Sequence, residues 1–252
     1  MNRRTVRRAC PNCGPKNKPL SVTTDERGTV SYCHRCQYTE ANNTIAVMGT
    51  LVERKSYRPF HDLASHLWQS SQPLAGSLAE KYLRSRSCRL PPMDGDLRFL
   101  PARDERPAAM VARVTDAITA EPISLHFTRL TADGSKVPDS PKRLLAGHRK
   151  AGGVIRLWPD EAVTVGLSIS EGVETALAAA HAFTPIWSTV DAGNMTTFPI
   201  LAGIQALTIF ADNDPAGIAA ARTCAERWAS VAEATLVTPD EPGTDIADVI
   251  AA

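Results

Sequence analysis

The sequence predicts an α/β protein: a parallel sheet covered by helices at the C-terminal end, a mixed α+β segment ahead of it, and a small β module at the start. Three observations carry this. From about residue 163, apolar runs of strand length alternate with helical segments. Four cysteines in two close pairs occupy the first 36 residues. The charge also divides sharply along the chain, although the formal net charge is only +1 over 252 residues. Residues 1–60 carry 11 Lys/Arg against 4 Asp/Glu, residues 61–150 carry 14 against 10, and residues 151–252 carry 3 against 13. A basic front and an acidic back suit a protein that grips a polyanion with one part and metal cations with the other.

The cysteine pairs read Cys10-Pro-Asn-Cys13 and Cys33-His-Arg-Cys36, a C-x2-C-x19-C-x2-C spacing. Two tight turns of this kind present four thiolates to one tetrahedral zinc ion. Two disulfides are the alternative, but no secretory h-region precedes Cys10, and thiols of the cytosol stay reduced. Between the pairs, Leu20–Thr24 and Thr29–Tyr32 read as strands around a turn at Asp25–Gly28. The zinc-ribbon module is placed at residues 1–42. A linker follows at 43–60, where no period is sustained.

The segment 61–160 is mixed. Residues 61–68 and 78–84 have helical spacing, with Leu63, Leu67, Leu78 and Leu83 apolar. Ala109–Thr115 and Ile123–Thr128 read as strands, with a turn at Ala132–Gly134. His61, His66 and His126 have no second ligand pair near them and read as core or surface histidines. Cys88 and Cys224 stand alone, the latter as a core thiol of a helix.

In residues 161–252, Val163–Ile169, Pro185–Val190, Ala206–Ala211 and Ala232–Val237 are the strands, and Val173–Ala182 and Pro215–Ser230 the helices between them. Continuous apolar strands separated by helices indicate a parallel sheet buried on both faces. Ligands of such sheets bind at the carboxyl ends of the strands, where Glu171, Asp191, Asp212 and Asp214 fall. Asp212-x-Asp214 puts two hard oxygen ligands at one strand end, a pairing suited to Mg²⁺. Glu171 faces them from a second strand, and Asp245 and Asp248 can reach the same rim. Converging with no Arg or Lys nearby, these acids repel one another unless a cation neutralises them. Helix capping is the alternative for Asp214, which precedes Pro215, and for Asp245. No apolar run approaches the roughly 20 residues of a membrane span, so the chain is expected in the cytoplasm.

The order strand–Glu171-Gly172–helix–strand–Asp212-Asn-Asp214–helix resembles the Toprim domain of primases, topoisomerases, RecR and some nucleases. Ser170–Leu177, Ala192–Met195, Ala211–Gly217 and Gly243–Ile250 are similar to the Toprim of phage- and plasmid-type DNA primases, in which a zinc ribbon precedes the catalytic unit. Lys81–Arg86, Leu97–Phe99 and Pro107–Val111 resemble the polymerase subdomain of that group. The resemblance implies a nucleotidyltransferase, a DNA-directed RNA polymerase of DNA replication in the host cytoplasm of a bacterium, encoded by a bacteriophage or mobile element. Single-stranded DNA would be its template and ribonucleoside triphosphates its substrates. A separate replicative helicase is expected, since no Walker A sequence is present.

On that reading Glu171, Asp212 and Asp214 hold catalytic Mg²⁺ or Mn²⁺, with Asp245 and Asp248 in support. Arg98, Arg113, Arg129, Lys136, Lys142 and Arg143 are the candidates for the triphosphate, with Lys136 and Arg143 favoured by their basic setting, although each taken singly is an ordinary surface charge. Tyr32, His34, Arg35 and Tyr38, around the second cysteine pair, offer stacking and base-edge groups for unpaired template. A RecR-like binding protein and a Toprim nuclease are the rival readings. The first is disfavoured by the N-terminal position of the cysteines and the roughly 130 residues that separate them from the acidic strands.

Overall fold

The structure, a computed structural model, describes residues 4–14, 20–25, 28–36, 38–43, 57–60 and 63–251. The expected linker falls largely outside them, as do His61 and the tip of the first hairpin turn. The chain divides into two compact units, Met1–Lys55 and Ser56–Ala252.

The first unit is an antiparallel sheet in sequential order, β1 (Arg4–Arg8), β2 (Leu20–Asp25), β3 (Gly28–Cys33) and β4 (Thr39–Asn43). The hairpin β2–β3 is the one the sequence predicts, in register Leu20 to Cys33 and Thr24 to Thr29. The sequence predicts neither flanking strand, because Arg4–Arg8 and Thr39–Asn43 are mostly polar and carry no apolar alternation. They are held by ladder bonds on the outer edges of the hairpin. Among the described residues the core here is Cys10, Leu20 and Cys33, with Cys13, Val22 and Tyr38 around it. So little apolar area cannot offset the chain entropy of ordering the module.

The second unit contains the other two sheets. Helices α1 (Leu63–Gln69) and α2 (Leu78–Ser85) precede β5 (Leu97–Leu100), β6 (Ala108–Asp116), β7 (Pro122–Leu130), β8 (Lys142–Leu144) and the short β9 (Gly153–Val154). Strands β5 to β8 pair antiparallel in sequence order, and β9 joins the other end of β6. Then come β10 (Gly166–Ser170), α3 (Val173–Ala179), β11 (Ile186–Ser188), α4 (Ala192–Thr196), β12 (Ala206–Phe210), α5 (Pro215–Trp228), β13 (Glu233–Val237) and α6 (Ile246–Ala251). These four strands form a parallel sheet in the order β11-β10-β12-β13.

The two sheets do not fold around separate cores. Met110, Ala112 and Val114 of β6 lie in one buried cluster with Tyr82 and Leu83 of α2 and Val173, Ala176 and Leu177 of α3. An antiparallel bridge, Ile155 to Ser188, also ties the end of the middle segment to β11. A second cluster, built on Trp228, Phe198, Leu207 and Ile209, fills the outer side of the parallel sheet. Among the described residues, no helix is long and apolar enough to cross a membrane.

Candidate functional site: an acidic rim and a four-sulfur cluster

The strand order puts β10 at the middle of the rim, with β11 on one side and β12 on the other. Glu171 therefore stands between Asp191, which follows β11, and Asp212, which follows β12. Burial and the charges of Asp212, Asp214 and Asp191 push the Glu171 carboxyl up to about 7. Burial, then Asp245 and Asp214, push Asp212 up to about 6. The sheet thus brings the acids at the strand ends within electrostatic reach of one another, although among the described residues only the four cysteines form a group of three or more side chains spaced to share one ion.

One expectation is corrected. The rim does have lysines beside it, contributed by the middle segment: Lys142 of β8 lowers the pKa of both Glu171 and Asp212, and Lys150 pairs with Asp191. Sequence position hides this, because both lysines reach the rim only through the packing of one sheet against the other.

Local structure explains the spacing of Asp212-Asn213-Asp214. Asp214 is the N-cap of α5, its Oδ1 accepting from the Gly217 amide at 2.7 Å, with Pro215 following. Asn213 donates from Nδ2 to the Pro239 carbonyl at 2.9 Å, and its backbone pairs with Thr244 and Gly243. The two aspartates are thereby fixed on either side of a stapled residue. A Cβ on Gly217 would lie 2.6 Å from the Asp212 carbonyl oxygen, so only glycine lets the helix approach that closely. Val190, just before Asp191, has φ +73, a strained value for a β-branched residue.

Asp214 has two separable duties. Asn caps as well as Asp. Asp214→Asn is therefore expected to leave the melting temperature within about a degree while removing the charge. Asp214→Ala should cost about 1 kcal/mol of stability as well. Equal destabilisation by both variants in thermal denaturation would show that the cap does not matter.

Asp245 and Asp248 form a reciprocal cap at the start of α6: the Asp248 amide donates to Asp245 Oδ1 at 2.9 Å, and the Asp245 amide to Asp248 Oδ2 at 3.2 Å. Asp248 also pairs with Arg86 at 3.0 Å, which holds its carboxyl below the usual range. Asp245 acts on Asp212, whereas Asp248 faces a guanidinium.

The six basic candidates separate by sheet face. Lys142 pairs across the ladder with Thr128, and Arg143 with Phe127. Alternation therefore puts Lys142 on the face toward α3 and Arg143 on the face toward α1. Arg129 shares the Phe127 face, and Arg98 and Arg113 sit over the ring of Trp68 at 5.4 and 4.9 Å. Arg113 is further held by the buried Asp96, and both arginines line a cavity of about 360 Å³ with Pro92 and Met93. The structure brings Lys136 and Lys142 toward the rim and leaves the four arginines on the far side of the sheet.

The residue the sequence reading missed is Glu174. It is a charged side chain on a helix whose seven residues are all buried, and it accepts from Tyr82 Oη at 2.9 Å and pairs with Lys136 and Lys142. The signal was a lone acid inside Val-Glu-Thr-Ala-Leu-Ala-Ala. Cys88 and Cys224 are buried thiols, pushed up to about 12 and 11 chiefly by burial, and so chemically quiet.

In the first unit the four sulfurs lie within 4.8 Å of one another. Cys10 and Cys36 are 3.5 Å apart and Cys13 and Cys33 are 3.6 Å apart. A disulfide would need about 2.05 Å. Four sulfurs about 2.3 Å from a tetrahedral centre stand roughly 3.8 Å apart, so the set could hold one such ion. The turns that aim them are closed by paired amides between Cys10 and Gly14, where Gly14 takes φ +80, and by the Arg35 amide on Cys33 Sγ at 3.4 Å. Nearby, Tyr32 is 41% exposed and stands edge-on to His34, whose Nε2 meets Ser21 Oγ at 2.8 Å. The Tyr38 hydroxyl donates to Glu40.

Residues 58–157 match a family described as a domain of unknown function, DUF7146, and residues 166–252 match the Toprim domain. No curated protein matches the chain. Among solved structures it is similar to the primase fragment of the bacteriophage T7 primase-helicase protein, at 14% identity and a TM-score of 0.44, covering 97% of this chain and 93% of that one. A DNA primase domain from Pseudomonas aeruginosa is similar at 14% identity and a TM-score of 0.40, covering 71% of this chain and 58% of that one. The family match spans the four parallel strands and the acids at their ends: residues 166–252 are a Toprim domain.

Proposed function

We propose that the chain is a DNA primase, joining ribonucleotides into short primers on single-stranded DNA, with a separate helicase to expose the template. The observation that carries this is the rim. Glu171 and Asp212 stand at the ends of adjacent Toprim strands with raised pKa values, and Lys142 stands beside them. Carboxylates that repel one another in this way suit Mg²⁺ or Mn²⁺, which take one or two carboxylates and leave places for water and substrate phosphate. Bound there, the metal would neutralise charge developing on the transferred phosphoryl group.

On this reading Asp212 and Glu171 hold the metal, with Asp214 offering the oxygen not used in its cap. Asp245 reinforces Asp212, and Asp248 fixes Arg86 and α6. The 3′-oxygen of one nucleotide bonds to the α-phosphorus of the next, the bond to the β-phosphate breaks, and pyrophosphate leaves. The alternative role for Glu171 is to leave the metal to Asp212 and Asp214 and to take the 3′-hydroxyl proton itself. Lys136 and Lys142 meet the triphosphate. The four cysteines hold structural Zn²⁺, and Tyr32, His34, Arg35 and Tyr38 meet the template.

The test is primer synthesis by the full chain with Mg²⁺ or Mn²⁺, labelled ribonucleoside triphosphates and single-stranded DNA of random sequence. Labelled oligoribonucleotides are expected. Retention of DNA without product would favour a RecR-like binding protein, and shortened DNA a nuclease; either outcome overturns the proposal.

A further inference from the structure

Glu174 is the charged residue of α3, and its side chain is only 4% exposed. A carboxylate in such a place is costly unless it is paired. Burial works to raise its pKa, and Lys142 and Lys136 outweigh burial and hold it well below the usual range. Lys136 Nζ lies 2.9 Å from Oε1 and Lys142 Nζ 3.0 Å from Oε2, while Tyr82 Oη donates to Oε1 at 2.9 Å. Lys136 also sits over the Tyr82 ring at 5.5 Å.

The two lysines come from different places, Lys136 from the turn after β7 and Lys142 from β8, and one carboxylate holds both. Their side chains remain 33% and 44% exposed. Each ammonium is thus anchored on one side and open on the other. A Cβ on Gly172 would lie 3.8 Å from Lys142 Nζ, so that ammonium rests against the loop carrying Glu171. His126, on the same face of β7, is pushed down to about 4 by burial and then by Lys142. It stays neutral and adds no third positive charge.

Stability alone is a poor reason for this arrangement, since a buried ion cluster is often no better than apolar packing. What it does provide is fixed geometry. A free lysine is a flexible point charge and loses side-chain entropy when it grips an anion. Two cations against one carboxylate leave a surplus of one positive charge, facing a rim that otherwise repels phosphate.

We propose that Glu174 is a positioning residue: it holds Lys136 and Lys142 as a prearranged cationic clamp for the phosphates of a nucleoside triphosphate at the acidic rim. The inference rests on the rim being a nucleotide site, as in the proposed function. Glu174 itself touches no substrate.

The experiment pairs equilibrium binding of ATP with Mg²⁺, measured by calorimetry, with steady-state primer synthesis. Glu174→Gln keeps the shape and the Tyr82 contact but releases both lysines. It should weaken ATP binding and raise KM by about tenfold while kcat falls much less, because prearrangement acts on binding. Lys142→Met should do the same. The double variant should lose less than the sum of the two single losses, since Lys142 is one of the two lysines through which Glu174 acts. ATP affinity unchanged in Glu174→Gln, or losses that add fully in the double variant, would overturn the inference. Should Glu174→Gln not fold, Lys142→Gln, at an exposed edge, carries the test: unchanged affinity there overturns the clamp equally. Wild-type protein that binds ATP in a Glu174-dependent way but makes no primer would sink the proposed function and leave the clamp standing. Primer synthesis with Glu174-independent binding would do the reverse.

Discussion

Asp212→Asn and Glu171→Gln should each abolish primer synthesis, by at least about a thousandfold or about 4 kcal/mol of barrier, and neither should unfold the protein. Both carboxyls are raised above the usual 4.5 and 3.8, to about 7 and about 6. The folded protein therefore keeps protons that the unfolded chain has already released. Stability from these groups is fully present below about pH 4 and is lost as pH rises through 6 and then 7. At pH 8 without divalent metal, the rim opposes folding. Glu171→Gln removes part of that repulsion, and a rise in melting temperature of about 2–4 °C is expected at pH 8, what roughly 1 kcal/mol gives in a chain of this size. No rise is expected at pH 4, where the wild-type carboxyl is already neutral. Added Mg²⁺ should stabilise the wild type at pH 8 far more than Asp212→Asn. Thermal denaturation at two pH values, with and without Mg²⁺, checks all of this. Variants that keep full synthesis would exclude these residues from the reaction.

Cys33→Ser should have the largest effect on folding, confined to the first unit. Cys33 is fully buried and forms, with Cys10 and Leu20, the small core of the described residues there. Structural zinc supplies on the order of 10–16 kcal/mol to peptides of this kind, far more than so small a core. The wild type should carry about one zinc per chain by elemental analysis, and the variant close to none. Residues of β1 to β4 should then become sensitive to protease while the second unit melts as before. A zinc-free chain with a protected first unit would refute the metal site.

The elements that could be read from the sequence are those whose signal is local. The parallel strands are continuous apolar runs ending in acids, and the cysteine spacing is complete within 27 residues. Strands β1 and β4 carry no such signal, because their mostly polar residues are placed by ladder bonds to the neighbouring hairpin. The acids of the rim were legible, since each follows its own strand. The lysines that answer them were not. Lys142 and Arg143 are adjacent in sequence and point to opposite faces, and only the register with Phe127 and Thr128 tells which faces the rim. Glu174 was hidden for a related reason: its partners lie 32 to 92 residues away.

The core shared by β6, α2 and α3 bears on how such a chain can change by recombination. The two family matches, 58–157 and 166–252, look like separate inheritable pieces. A crossover between related chains in the interval 158–165 would part Glu174 from Tyr82, Lys136 and Lys142, and Val173 and Leu177 from the β6 residues they cover. A hybrid with a mismatched half would bury an unanswered carboxylate and misfit side chains together. Descent should therefore keep residues 58–252 as one cassette.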